Sequence, residues 1–148
     1  MRTRSLVHCL AVTSLFGALL SAAAPARAEE IKGAAILEHA CGKTAVKHMG
    51  LVHAGKMAEA VKLGAKEMQD EWNKMPAEDR EMMSGMMKEM SQSEADFSAE
   101  IKAHGVLAVD GGKATLTVTK KTEDASGSGT ETMTQKYVID AKGCWISR

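Results

Sequence analysis

Five of the ten residues in "EMMSGMMKEM", Glu81 to Met90, are methionine. A thioether is a neutral, soft donor, and soft donors select Cu(I) and Ag(I) over harder ions. Met83, Met86, Met87 and Met90 stand at i, i+3, i+4 and i+7, so a helix would let two or three sulfurs converge on one ion. At 100° per residue, with Met82 at zero, Met86 falls near 40°, Met90 near 80°, Met83 near 100° and Met87 near 140°. All five share one arc, opposite Arg80, Ser84, Lys88, Glu81, Gly85 and Glu89. A one-sided arc is also what a helix turns toward a core, and methionine fills irregular interiors well. The chain is short of aromatics, so core packing is the expectation for this face. A flexible apolar groove and a metal site built from Met82, Met83, Met86, Met87 and Met90 are the rivals.

The other groups that could do chemistry are sparse. His39 and Cys41 are two apart and would diverge on a helix. No His-x-x-x-His or Cys-x-x-Cys spacing occurs, so His39, His48, His53 and His104 read as surface or capping residues. No Gly-rich phosphate loop or nucleophile elbow is present.

The elements that must position these residues begin after a leader. "MRTR" is a positive start, Cys9 to Ala24 is apolar, and "PARA" supplies Ala26 and Ala28 as small residues before a cleavage point. Residues 1–28 therefore read as a signal peptide, too short in its apolar run for a good membrane span. No later segment reads as a span either. Cys9 sits ahead of the apolar run, where a lipid-modified cysteine does not belong.

Residues 29–148 form one domain-sized chain, expected in the periplasm or secreted. Arg2, Arg4 and Arg27 fall in the leader. That leaves 16 of the 19 basic residues against 19 acids, a net charge of about −3. No basic surface for nucleic acid follows from that balance. Only Trp72, Phe97, Tyr137 and Trp145 are aromatic, which also argues against a base-stacking platform. Two cysteines remain, Cys41 and Cys144, and an even number in an exported chain points to one disulfide. Two buried thiols and a metal pair are the rivals.

Helical patterning runs over residues 31–92 and strand patterning over 98–147. The first helix is expected from Ile31 to Met49, with Leu37, Ala40, Cys41, Thr44 and His48 inward and Gly50 breaking it. A second is expected from Lys56 to Lys74, its apolar face Met57, Val61, Gly64, Met68, Trp72 and Met75. Pro76 separates it from the third, the methionine helix. Beyond it the period becomes two. Ala114, Leu116 and Val118 alternate with Thr115, Thr117 and Thr119, and Met133, Tyr137 and Ile139 share a face. "DGG" and "DAKG" mark turns. The expectation is an α+β domain: about three N-terminal helices packed on a curved antiparallel sheet of about four strands.

Asp110 to Val118, Gln135 to Ile139 and Asp140 to Ile146 resemble the C-terminal meander of small exported domains of the nuclear-transport-factor-2-like superfamily. Cys144 before Trp145 departs from its "DGKWKI"-like last strand. The resemblance implies a cone-like domain, a sheet curved around helices and often enclosing an apolar pocket. Some relatives are enzymes, such as ketosteroid isomerases; many are non-catalytic binding or dimerisation modules. Enzymes of this kind need acids and a phenol inside the cone. Here Tyr137 is the one phenol, and Asp96 and Glu100 are the acids near the helix–sheet junction, which makes no convincing catalytic set.

The expected function is an exported, non-catalytic binding module for a small apolar molecule or a protein partner. Its expected pocket residues are Met68, Trp72, Met83, Met86, Met87, Met90 and Tyr137. The alternatives are a periplasmic Cu(I) or Ag(I) binder and a small cone-fold enzyme. An exposed sheet face would also offer a homodimer surface in this superfamily.

Overall fold

The computed structural model describes residues 28–124 and 127–148. The expected leader, with Cys9, lies outside the described residues except for Ala28. The fold is α+β, with five antiparallel strands in sequential order and helices packed on the sheet.

Strand β1 (Glu29–Lys32) and a 3₁₀ turn (Gly33–Glu38) precede helix α1 (Ala40–His53). A short α2 (Met57–Ala60) runs into a 3₁₀ turn (Val61–Leu63), then come α3 (Lys66–Lys74), α4 (Ala77–Glu89) and α5 (Glu94–His104). The chain closes with β2 (Gly105–Asp110), β3 (Lys113–Asp124), β4 (Gly127–Asp140) and β5 (Gly143–Ser147). No helix among the described residues is long and apolar enough to cross a membrane.

Four expectations change. The first helix does not begin at Ile31. Glu29 to Lys32 instead pairs with Val106 to Val109 and adds a fifth strand at the sheet edge. Its charged residues suit an edge, where they discourage pairing with another chain. His39 then caps α1, its Nδ1 accepting from the Cys41 amide at 3.1 Å. Gly50 does not end α1, which runs on to His53. A β-carbon at Gly50 would stand 2.1 Å from the Glu94 side chain, so the glycine serves the approach of α5.

The expected second helix is split. Backbone at Gly64 and Ala65 leaves the helix to join β5: Gly64 bridges Ile146, and the Ala65 amide donates to the Ile146 carbonyl at 2.7 Å. Finally, residues 98–104, expected to open the strands, belong to helix α5. The Ser93 hydroxyl accepts from the Asp96 amide, a local N-cap that competes with extended backbone.

The core lies between the helices and one face of the sheet. Leu107, Ala114, Leu116, Val118, Tyr137, Cys144 and Ile146 point inward from the strands. Ile36, Cys41, Ala45, Phe97 and Ile101 meet them. The period-two alternation of β3 is realised, and each large apolar side chain removed from water here contributes about 1.5–3 kcal/mol. Cys41 and Cys144 are bonded, with Cα atoms 5.1 Å apart, and they fasten α1 to β5. The other sheet face carries Thr115, Thr117, Thr134 and Val138. At the β4–β5 turn, Asp140 accepts from the Lys142 and Gly143 amides and from the Trp145 indole. These bonds hold its carboxyl below the usual carboxylate range, the indole first.

Candidate functional site

Helices α3 and α4 contain no buried residue, and of their side chains Met68 packs against the main core. Their apolar side chains line two neighbouring concavities.

The first is a cleft of about 220 Å³. Met57, Ala60, Val61 and Gly64 form one wall. Met68, Trp72 and Met75 come from α3 and its end, and Met83 and Met87 from α4. The break at Gly64 creates this arrangement, because it lets α3 leave the line of α2 and lie beside β5. Ile146 closes the cleft toward the core. Four polar side chains border it: His48 from α1, Glu71 from α3, Gln135 from β4 and Arg148 at the C-terminus. Arg148 forms an ion pair with Glu71. Burial lowers the pKa of His48, favouring the neutral imidazole.

The second is an open groove on the outer side of α4. It is lined by Met75, Asp79, Met82, Met83, Met86, Met87 and Met90. Met83, Met87 and Met75 therefore face both spaces.

The structure overturns core packing as the role of the methionine arc. Met82 is 64% exposed, Met83 38%, Met86 58% and Met90 83%. Met87 alone is half-buried, packing with Trp72 against a small cluster of Val52, Met57 and Ala60. The helix has the expected period, but nothing covers most of its apolar side among the described residues.

Of the expected pocket residues, Met68, Trp72, Met83 and Met87 meet in the cleft. Met86 and Met90 do not; they belong to the outer groove with Met82. Tyr137 lines neither, because it is packed into the main core at 1% exposure. Among the described residues its hydroxyl has no hydrogen-bond partner, and burial pushes the phenol well above its ordinary range. Asp96 is engaged by Ser93, and Glu100 accepts from Lys120 at 3.0 Å and from Gln92. Neither acid borders the cleft.

His48, Glu71, Gln135 and Arg148 were not legible as site residues. His48 shares α1's inward side, but whether it meets core or cavity depends on where α3 and α4 lie. The other three come from separate elements with no motif in common. Among the described residues no three His, Cys, Asp or Glu side chains gather as a metal cluster. No protein-family model, curated protein or solved structure matches the chain.

Proposed function

We propose that this protein is an exported, non-catalytic binding module whose cleft between α1, α3, α4 and β5 takes a small molecule with an apolar body and one polar end. The cleft carries this reading: Trp72 and five methionines converge in it, with His48, Glu71, Gln135 and Arg148 at its border. Ligand sites are typically concave, mostly apolar and furnished with a few polar groups. At about 220 Å³ the cleft is below the range of drug-sized sites, so its occupant is a small ring or a short aliphatic chain. Methionine suits such a wall, since its three torsions let it close on different shapes. The Cys41–Cys144 bond supports an oxidising compartment and therefore the signal-peptide reading of residues 1–28. Helices lying on one face of an antiparallel meander support a cone-like domain of the nuclear-transport-factor-2-like kind.

The test uses the chain from Glu29 onward, which contains every described element. It is titrated with N-phenyl-1-naphthylamine, a probe that brightens in apolar surroundings, and Trp72 emission is followed in parallel. Saturable binding that quenches Trp72 is expected. Val61→Trp, which fills the cleft wall, should abolish it while circular dichroism and thermal unfolding stay those of the parent. Equal probe binding by the folded Val61→Trp variant would remove the cleft as the site. If Val61→Trp does not fold, Met68→Trp provides the same filling from α3.

A further inference from the structure

We propose that the outer groove of α4 is a thioether site for a soft monovalent cation, Cu(I) or Ag(I). It shares Met75, Met83 and Met87 with the apolar-ligand cleft but does not depend on that reading.

The first observation is chemical. Six of the chain's eleven methionines line this one groove, and the remaining lining residue is Asp79. No Leu, Ile, Val or Phe takes part. The main core shows the reverse choice: its buried members include Ile, Leu, Val and Phe but no Met. A groove needing only an apolar surface could use any of these side chains. One lined by six thioethers and a single carboxylate offers chiefly the donor that soft ions take and hard ions refuse.

The second is geometric. Met82, Met86 and Met90 are successive i, i+4 neighbours, with about 6 Å of helix rise between each. Met83 and Met87 form the adjacent row, and Met75 enters from just before the helix. Side chains three and four apart on a helix meet, and a flexible thioether can swing its sulfur toward a shared point. Roughly two to three sulfurs from these rows can therefore hold one ion. Their exposure leaves the site open to an arriving ion.

The third is electrostatic. Thioethers are neutral and leave the ion's charge uncompensated. Helix α4 carries Glu78, Asp79, Glu81 and Glu89 against Arg80 and Lys88, and Asp79 borders the groove itself. This local excess of negative charge favours a cation. Cys41 and Cys144 are bonded to each other, so no thiol among the described residues competes for it.

The deciding experiment titrates the chain from Glu29 onward with Cu(I), without oxygen, against a chromogenic chelator. It is compared with the triple variant Met82→Leu, Met86→Leu, Met90→Leu. Those three residues line the groove but not the cleft, and leucine keeps their apolar character. The parent should withdraw Cu(I) from the chelator, and the variant should bind it at least about tenfold more weakly. In parallel, Ag(I) should shift the methyl resonances of the α4 methionines, while Zn(II) should not. Failure of the parent to compete, equal binding by the folded triple variant, or an equal response to Zn(II) would each overturn the proposal. Val61→Trp should leave Cu(I) binding intact, so loss of the cleft and loss of the metal site read out separately.

Discussion

Strand β3 and helix α4 both carry one-sided apolar patterns, and they end in opposite places. Ala114, Leu116 and Val118 of β3 are buried in the main core, with α5 packed on that strand. Met82, Met86 and Met90 of α4 stand largely in solvent. Periodicity reports that one side of an element is apolar. It does not report that another element covers it. On β3 the cover comes from α5, and the Cys41–Cys144 bond fastens α1 to β5 of the same sheet. On α4 Met87 alone packs with Trp72 against the Val52 cluster.

That contrast can be broken most severely at the disulfide. Replacing Cys41 and Cys144 together by Ser should cost about 2–5 kcal/mol, because the bond closes a long loop across the sheet-side core. Urea unfolding of parent and variant would measure it. A change near zero would mean that packing alone holds α1 on the sheet.

Single truncations sharpen the same comparison. Leu116→Ala should lose about 2–5 kcal/mol, since it empties a fully buried position. Met86→Ala should stay within about 0.5 kcal/mol of the parent, as expected of an exposed site. Comparable losses at the two positions would show that the methionine row is covered in solution.

The smallest effect should come from His48, on the boundary between the two regions. Its folded-state pKa is lowered by burial, whereas the unfolded chain titrates near 6.5. Above that value both states are neutral and nothing is lost. As pH falls below it, the unfolded chain takes up a proton first, and stability should decline until the folded imidazole also protonates. His48→Leu should flatten this part of the pH–stability curve. An unchanged slope would assign the acid sensitivity to another group.

Much of the fold was legible because it is local. Alternation along β3 and β4, the turn glycines, and the stop at Pro76 all act over a few residues. The missed pieces depend on distant partners. Glu29–Lys32 is a strand only because Val106–Val109 offers it a ladder. The Gly64 break exists because β5 hydrogen-bonds the backbone there. Helix α5 had a readable cap at Ser93, but its two deep anchors, Phe97 and Ile101, made too short a stripe to outweigh the strands that follow.

The candidate sites divide in the same way. Residue type and spacing placed five thioethers on one side of a helix, a consequence of 3.6 residues per turn that needs no tertiary contact. The even cysteine count pointed to a bridge, and the fold brings the pair together. Tertiary structure alone decided that Tyr137 belongs to the core, that Met86 and Met90 face outward, and that His48, Glu71, Gln135 and Arg148 meet at one cleft. Burial is a relation between elements, set here by α4 packing on α1 and by α3 starting from the Gly64–Ile146 bridge, and no single element's sequence contains it.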